Sequence, residues 1–383
     1  MKKIIGLAEL AFRHGIVYPL FRLIFRNPIS DRPLELKKVH KLLILRYDRI
    51  GDMIVTSPIF RNLKKSHPTL HLGVVTSELN AELIRNDPNV DAIYILHANW
   101  WRLWKEVLRA RREGYEVLLN FIFNRTTSGG LLANIIAPNG FKVGQGAEKY
   151  RFYFNRLLTL ERSSLHMVET LASVIQQVFG VRWRDDELTF ELFVDDVAAG
   201  AVDRFLRCHV LGPRSAVSTG TARYLVLNAS ASDPVRRLSI GQARALATHL
   251  GRRSDVRTVL IWAPNDDEMR GLAADAARSA ACFIFPEEGK ASLLEIGSLI
   301  GGAVCVITPD TSIIHFASAA KTPVFGVFTP LLGVHEWLPY RVPYELLEAD
   351  QGQAVATIPV ETLLARTEAF VTACLNTTGR DDG

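Results

Sequence analysis

The chain has 383 residues, of which 48% are hydrophobic and 22% charged, and its formal net charge is +5. This length suits two α/β domains that each bury their own core, and the composition excludes a disordered or fibrous protein. The four cysteines lie far apart, without a CxxC pair or the spacing of a zinc site, so we expect buried, reduced thiols.

The first 40 residues form a basic segment, with eight basic side chains against three acidic ones. Apolar residues between Ile4 and Phe25 are interrupted by Arg13, Arg22 and Arg26 at helical spacing. Three interpretations stay open: an amphipathic helix on an anionic membrane surface, a helix packed on the protein's own surface, or a targeting segment. No run of apolar residues is long enough to span a bilayer.

A strand, a turn and a helix follow from residue 41. The continuous apolar run 42–45 predicts a buried parallel strand, and the spacing of apolar residues from Met53 to Leu63 predicts a helix. Strands are predicted next at 70–75, 92–96 and 117–123, with helices at 78–86 and 101–112. The alternation indicates a doubly wound parallel sheet.

The first motif with chemical content is LRYDRIGDMIVTSPIF, residues 45–60. Gly51 permits a tight turn after the strand, which puts the Asp52 carboxylate at the start of the helix, facing the crevice beyond the sheet. A carboxylate there can take a proton from an acceptor hydroxyl as that oxygen attacks a sugar carbon. The alternatives are that Asp52 only caps the helix, or that Asp48 is the base.

A linker is predicted at 208–222, where CHVLGPRSAVSTGTA is rich in Gly, Ser, Thr and Pro and has neither helical nor strand periodicity. The alternation of strands and helices restarts at Tyr224, and a last helix is predicted over 359–375. Two similar α/β halves are typical of an enzyme with its site in a cleft. The predicted organisation is an extension at 1–40, a first Rossmann-like domain at 41–207, the linker, and a second Rossmann-like domain at 223–383.

The most informative motif is ITPDTSIIHFASAAKTPVFGVFTP, residues 307–330. A helix beginning near Thr311 directs its unpaired N–H groups and positive end into the crevice beyond the preceding strand, which suits a pyrophosphate. Thr311 and Ser312 can donate hydrogen bonds to it, His315 lies one turn further on the same face, and Asp310 suits sugar hydroxyls. The alternative is that Asp310 and Thr311 only cap the helix and His315 is an interior histidine.

A third motif, ASASDPVRRLSIGQARAL at 229–246, follows the first strand of the second half. Ser230, Ser232, Arg236 and Arg237 occupy a loop that opens a helix, where guanidinium groups can clamp a diphosphate. A solvated basic loop is the alternative interpretation.

Several well-known motifs are missing from the sequence. There is no GxGxxG after a strand, no phosphate-binding GxxxxGK[ST] loop and no GxSxG nucleophile elbow. A DxD triad that would hold a divalent ion on a nucleotide diphosphate is also missing. We therefore expect no cofactor and no metal, and leaving-group charge handled by Arg236, His315 and the helix end.

Together, RYDRIGDMIVTSPIFRNLKKSHP and the later ITPDTSIIHFASAAKTPVFGVF resemble the ADP-heptose:lipopolysaccharide heptosyltransferases, over about residues 41 to 340. These are inverting, metal-independent glycosyltransferases of glycosyltransferase family 9. The resemblance implies a GT-B fold, in which two Rossmann-like, doubly wound α/β domains face a central cleft. It makes Asp52 the general base.

The resemblance also implies a donor site in the second domain. It puts Asp310 on the donor sugar, Thr311, Ser312 and His315 on the pyrophosphate, and Arg236 where the family has a phosphate-binding lysine. A carboxylate after the strand that ends at Trp262 is implied to hold the ribose; we assign this role to Asp266 and add Ser230 to the donor set. The sequence departs from the family at Asp310-Thr311-Ser312, in place of Asp-Thr-Gly, and at Arg236-Arg237-Leu238, in place of Lys-Arg-Trp.

The sequence therefore predicts a glycosyltransferase that moves heptose, or a related sugar, from ADP-heptose to a lipopolysaccharide-core or similar glycan, with inversion. Its helix at 101–112, basic and rich in tryptophan, suits an anionic glycolipid acceptor, with acceptor contacts expected at Arg102 and Arg125; a plain solvated helix is the alternative. We expect a cytoplasmic protein that is peripheral on the inner membrane and has no nucleic-acid partner. The rival functions are a nucleotide-sugar epimerase of the same fold and a non-catalytic sugar-nucleotide-binding protein.

Overall fold

The structure is a computed structural model that describes residues 18–25, 27–123, 126–160, 165–214, 221–279, 282–330 and 334–378. Contacts between residues divide the chain into two compact units. The first consists of the described residues within 1–81, 88–162 and 168–188, and the second of those within 82–87, 163–167 and 189–383. The domain limits drawn from the sequence remain a prediction.

The first unit is built on a six-stranded parallel sheet with the strand order β3-β2-β1-β4-β5-β6. Its strands are β1 (Lys41–Leu45), β2 (His71–Ser77), β3 (Ala92–Leu96), β4 (Val117–Asn120), β5 (Phe141–Gln145) and β6 (Arg156–Leu158). Its helices are α1 (Tyr18–Ile24), α2 (Ile50–Ser66), α3 (Trp100–Arg112), α4 (Thr126–Ile136) and α5 (Met167–Phe179). The residues of β1 from Leu42 to Leu45 are fully buried, which explains why this strand reads as a continuous apolar run.

The second unit repeats this architecture with the strand order β12-β11-β10-β7-β8-β9. Its strands are β7 (Tyr224–Asn228), β8 (Arg257–Ile261), β9 (Phe283–Ile284), β10 (Val306–Pro309), β11 (Val324–Phe328) and β12 (Tyr344–Glu348). Its helices are α6 (Asp196–Cys208), α7 (Ile240–Gly251), α8 (Asp267–Arg278), α9 (Leu293–Gly302), α10 (Ile313–Ala320) and α11 (Val360–Thr378). Capping boxes fix the starts of α7 and α9, with Ser239 paired to Gln242 and Ser292 to Glu295.

Both sheets share one strand order when their strands are numbered within each unit, namely 3-2-1-4-5-6. This is the order of a doubly wound dinucleotide-binding fold, so the predicted fold class is confirmed. The strand order reverses between β1 and β4 in the first unit and between β7 and β10 in the second. In such sheets ligands bind beyond the carboxyl ends of the strands at this switch point. Each unit therefore has a candidate ligand site there.

Three local expectations were wrong. The helix expected at 78–86 is only a short 3₁₀ turn, Ala81–Ile84, because the Asn80 side chain accepts a hydrogen bond from the Ser77 N–H at 2.9 Å and donates to the Arg46 carbonyl at 3.1 Å. Gly51 makes no special turn, since it lies inside α2. Of the four cysteines, none of which forms a disulfide, Cys208 is exposed and not buried.

The N-terminal segment is described from Tyr18 onward, and residues 1–17 of the predicted extension lie outside the described residues. Phe21 and Phe25 pack their rings on Tyr153, so α1 contacts the protein's own surface. On its other side Leu23 is 76% exposed. Within the described ranges, no helix combines the length and apolar character needed to cross a membrane.

Candidate functional site: the two switch points

A buried asparagine joins the two strands at the switch point of the second unit. Asn228, the last residue of β7, donates from Nδ2 to the Thr308 hydroxyl of β10 at 2.9 Å and to the Thr311 hydroxyl at 3.2 Å. Its Oδ1 accepts from the Ser230 N–H at 3.2 Å. The network therefore fixes the backbone on both sides of the crevice, next to the predicted donor residues.

Two of the predicted donor residues form an ion pair. Arg236 ends a short 3₁₀ turn, Pro234–Arg236, that Asp233 caps through a hydrogen bond from the Val235 N–H. Its Nη1 lies 3.0 Å from the Asp310 carboxylate, and the Arg236 side chain is 30% exposed. A guanidinium carries five N–H donors. One that pairs with a carboxylate and is still partly exposed to solvent can therefore also donate hydrogen bonds to phosphate oxygens.

The helix that follows β10 begins at Ile313, and Ser312 is its N-cap. Ser312 has helical backbone angles and makes no side-chain cap hydrogen bond. The part of the alternative that makes Thr311 a cap is supported, because the hydroxyl and the carbonyl of Thr311 bind N–H groups of the first turn. Thr311 Oγ1 accepts from the Ile313 N–H at a long 3.4 Å. The N–H groups of Ile314 and His315 donate to the carbonyls of Thr311 and Ser312 at 3.2 and 3.0 Å, so a tight first turn pairs the N–H groups at the start of this helix.

His315 lies within a cluster of aromatic rings in the second unit. Its ring centroid lies 5.9 Å from that of Trp337 and 6.2 Å from that of Phe190, and the residue is 5% exposed. Burial, helped by nearby His166, lowers the pKa of His315 to about 3. Its imidazole is therefore neutral at pH 7, so it can offer a diphosphate a hydrogen bond and no positive charge.

Four residues of the predicted donor set carry a buried polar atom that has no hydrogen-bond partner among the described residues. These atoms are Ser230 Oγ, Arg236 Nε, Asp266 Oδ2 and His315 Nδ1. Buried polar groups in folded proteins are nearly always paired, and an unpaired one needs an explanation. A polar ligand at the carboxyl edge of this sheet would give these atoms partners.

Asp266 has a structural role as well. It is the N-cap of α8, and its Oδ1 accepts from the Met269 N–H at 3.3 Å while Oδ2 stays unpaired. The residue is 7% exposed. One carboxylate oxygen thus supports the helix, and the other has no partner among the described residues.

In the first unit, Asp52 lies in the opening turn of α2, whose N-cap is Arg49, so the interpretation of Asp52 as the cap is wrong. The buried guanidinium of Arg46 holds Asp52 from two sides. Arg46 Nη2 lies 2.8 Å from Asp52 Oδ1, and Arg46 Nε donates to the Asp52 carbonyl at 3.0 Å. Arg46 Nη1 also donates to the carbonyl of Phe121, just beyond β4. This hydrogen bond joins the chain after β1 to the chain after β4, the two strands at the switch point of this sheet.

Asp48, the rival base, contacts the same guanidinium less closely. Its Oδ2 lies 3.4 Å from Arg46 Nη1, its side chain is 22% exposed, and its Oδ1 is buried without a partner in the described part of the chain. Asn120 at the end of β4 likewise has an unpaired, buried Nδ2, beside a cavity of about 10 Å³, room for about one water. Polar groups therefore gather at this switch point too.

Of the two predicted acceptor residues, the structure describes only Arg102. Arg102 is exposed near the start of α3, at the same edge of the first sheet as Asp52, since β1 and β3 run parallel and both lead into their helices there. Arg125 lies outside the described residues. The helix α3 also exposes Trp100 by 61% and Trp101 by 81%.

Sequence reasoning missed three residues that organise the site: Arg46, Asn228 and Thr308. Arg46 directly follows β1, Asn228 ends β7 and Thr308 is the last residue but one of β10, and a polar side chain at the end of a buried apolar run is the signal that could have found them. The part of the chain that the structure describes contains no group of three or more His, Cys, Asp or Glu side chains placed to hold a metal ion.

The sequence pattern of glycosyltransferase family 9 (heptosyltransferase) matches residues 100–353, which is more than half of the chain. Lipopolysaccharide heptosyltransferase 3 of Escherichia coli K12 is 23% identical over 349 residues, which cover 84% of this chain and 95% of that protein.

Two solved structures have the same fold. The glycosyltransferase of family 9 from Veillonella parvula superposes with a TM-score of 0.73 at 18% identity, covering 90% of this chain and all of that one. Escherichia coli heptosyltransferase WaaC, solved with ADP, gives 0.62 at 17% identity, covering 86% and 97%. The chain belongs to glycosyltransferase family 9, the heptosyltransferases, and is a glycosyltransferase of the GT-B fold.

Proposed function

We propose that the protein transfers a heptose from ADP-heptose to a sugar hydroxyl of a lipopolysaccharide-core acceptor, with inversion at the anomeric carbon. The observation that carries the donor half is the set of four unpaired buried atoms at Ser230, Arg236, Asp266 and His315. The related lipopolysaccharide heptosyltransferase 3 and the WaaC structure with ADP support the sugar, the acceptor class and the nucleotide.

The donor is bound by the second unit in this proposal. The diphosphate lies at the start of α10, where it accepts hydrogen bonds from Thr311 and Ser312 and its charge is offset by Arg236 and by the positive end of the helix. Asp310 accepts from the hydroxyls of the heptose, and Asp266 Oδ2 accepts from the ribose. Neutralisation of the departing ADP thus depends on Arg236 and the helix end, because His315 is neutral.

Asp52 is the general base in this proposal. As the acceptor oxygen attacks the anomeric carbon, its proton passes to the Asp52 carboxylate, the bond from that carbon to the diphosphate oxygen breaks, and ADP leaves with the electron pair. A single displacement of this kind inverts the anomeric centre. Asp52 suits the role better than Asp48, since it is the carboxylate that Arg46 holds at 2.8 Å.

Product analysis with candidate nucleotide sugars tests the function. ADP release from ADP-heptose that requires a lipopolysaccharide-core acceptor supports transfer. A changed sugar without acceptor would mean epimerisation, and binding without turnover would mean a non-catalytic protein; either result overturns the proposal. Asp52→Asn should lower kcat by about 10² to 10⁴ with nearly unchanged donor affinity, whereas Asp48→Asn serves as the matched control and should keep most activity.

The proposed acceptor is an anionic glycolipid in the inner leaflet of a membrane, reached by a cytoplasmic protein that binds the membrane surface. The helix α3 supports this, since Trp101, Lys105, Leu108 and Arg112 follow one another at helical spacing and are all exposed. Indole rings favour the interface between lipid and water, and each basic side chain near an anionic surface adds about 1 kcal/mol.

Sedimentation with vesicles tests this surface. The protein should bind vesicles of phosphatidylglycerol more tightly than vesicles of phosphatidylcholine, and the combined change Trp101→Ala, Lys105→Glu and Arg112→Glu should release it. Arg252→Glu, on the second unit, should leave binding unchanged. Equal binding by the triple variant would remove α3 from the membrane-facing surface.

A further inference from the structure

Arg46 is the most enclosed charged side chain in the first unit's described part. It is fully buried, and all three guanidinium nitrogens have hydrogen-bond partners. A buried charge without partners is costly, and even a paired one is often no more stable than apolar residues of the same size. Stability alone therefore does not explain an arginine at this position.

The partners of Arg46 come from both sides of the switch point. Nε and Nη2 hold the carbonyl and the carboxylate of Asp52 at 3.0 and 2.8 Å, while Nη1 donates to the Phe121 carbonyl beyond β4. The backbone of Arg46 is fixed as well, because its N–H donates to the Val75 carbonyl at 2.9 Å and its carbonyl accepts from Asn80 at 3.1 Å. The guanidinium thus connects the first turn of α2 rigidly to the central sheet.

We propose that Arg46 is the positioning residue of the catalytic base: its buried guanidinium fixes the Asp52 carboxylate at the carboxyl edge of the first sheet. This inference rests on the proposed function of Asp52. The planar guanidinium reaches a backbone oxygen and a carboxylate oxygen of one residue at once, which a lysine ammonium cannot reproduce in the same geometry.

Arg46 contacts Asp48 less closely than it contacts Asp52. Arg46 Nη1 lies 3.4 Å from Asp48 Oδ2, at the long limit for a hydrogen bond, whereas it binds the Phe121 carbonyl closely. The arginine therefore orients Asp52 far more firmly than Asp48. A misplacement of about 1 Å can cost a factor of about 10² in rate, so the effect on turnover should be large.

A double-mutant cycle in kcat tests the proposal. Arg46→Gln keeps hydrogen-bond donors and should lower kcat about 10²-fold, with the affinity for ADP, measured by calorimetry, changed less than about twofold. Arg46→Lys should recover part of the loss. In an Asp52→Asn background Arg46→Gln should have almost no further effect on the residual rate, because a residue that acts through Asp52 has nothing left to position.

Two results would overturn the inference: kcat of Arg46→Gln within about twofold of the wild type, or losses that simply multiply in the double variant. Where Arg46→Gln is too unstable to assay, the double variant Arg46→Met with Asp52→Asn removes both charges together and keeps the comparison with Asp52→Asn alone. If Asp52→Asn itself stays fully active, the proposed base is wrong; a slow Arg46→Gln beside an active Asp52→Asn would give Arg46 a role of its own.

Discussion

Arg236 and Asp310 meet across the switch point of the second sheet, with a guanidinium nitrogen 3.0 Å from a carboxylate oxygen. The two residues lie in motifs about 70 positions apart in the sequence. Each was assigned to the donor for a separate reason, phosphate for Arg236 and sugar for Asp310. Their ion pair would bring the two proposed contacts next to each other, at the junction between the diphosphate and the sugar of a bound donor.

Replacement of Arg236 should weaken the binding of ADP. Charge-assisted hydrogen bonds contribute about 1.5 to 3 kcal/mol, so Arg236→Ala should raise the Kd for ADP about 10- to 100-fold, and Arg236→Lys should raise it less. Calorimetric titration measures both. Arg270→Ala is the matched control, because Arg270 pairs with the exposed Asp267 on α8 and should leave the Kd as it was; an equal Kd in Arg236→Ala would remove this residue from the diphosphate site.

Asp266 offers a way to separate a cap from a ligand contact. Asp266→Ala should lower the free energy of unfolding by about 1 kcal/mol, whereas Asp266→Asn should keep the cap, since asparagine is as good an N-cap as aspartate. If Oδ2 holds the ribose, Asp266→Asn should still weaken ADP binding. The affinities of the variant for ADP and for 2′-deoxy-ADP should then differ less than those of the wild type. Full affinity in Asp266→Asn, with urea unfolding unchanged, would leave Asp266 with the structural role alone.

The two buried histidines of the second unit predict a loss of stability in acid. Burial lowers the pKa of His166 to about 4 and that of His315 to about 3. Between pH 6.5 and 4 the unfolded chain therefore binds protons that the folded chain does not. Stability should be complete above pH 6.5 and fall below it, by up to about 1.4 kcal/mol per pH unit for each histidine.

Urea unfolding from pH 7.5 to 4.5 measures this slope. His166→Phe keeps an aromatic ring against Tyr340, whose centroid lies 4.6 Å away, and should remove about half of the slope below pH 6.5. His40→Gln should not change it, because the His40 side chain is 75% exposed. A slope that stays the same in His166→Phe would show that other groups cause the acid sensitivity.

Replacement of Lys142 should lower the stability of the protein without changing the proposed donor site. Its buried Nζ donates to the carbonyls of Ala137, Pro138 and Gly140 at 2.8, 3.2 and 2.7 Å, just after α4 ends. Burial lowers its pKa to about 8. Lys142→Met should take the donor from these carbonyls and lower the free energy of unfolding by about 1 to 3 kcal/mol.

Thermal unfolding checks Lys142→Met against Lys37→Met, which removes an exposed lysine and should be neutral. The Kd for ADP should be the same in both variants, since Lys142 lies in the first unit and the proposed donor residues lie in the second. A melting temperature equal to that of the wild type would mean that water satisfies these carbonyls as well as the ammonium does.

The sequence predicted most of the sheet strands it addressed, because buried parallel strands such as β1 and β7 are continuous apolar runs that few other structures produce. It failed at 78–86, where local helical spacing was overridden by the side chain of Asn80, a contact with the distant Arg46 that no local pattern contains. The motifs pointed to Asp52 and Asp310. The polar residues that support them, Arg46 and Asn228, act through contacts with other strands, and those follow only from the topology.

The chain enters the second unit before it has completed the first. Residues 82–87 and 165–167 group with the second unit although they lie in the N-terminal half of the sequence. There, Glu82 accepts from the Leu294 N–H at 3.3 Å, and His166 Nε2 lies 3.1 Å from the Leu338 carbonyl. A protease cut anywhere in 208–222 therefore cannot yield two self-sufficient fragments, since the N-terminal fragment would keep segments of the second unit that the C-terminal fragment then lacks.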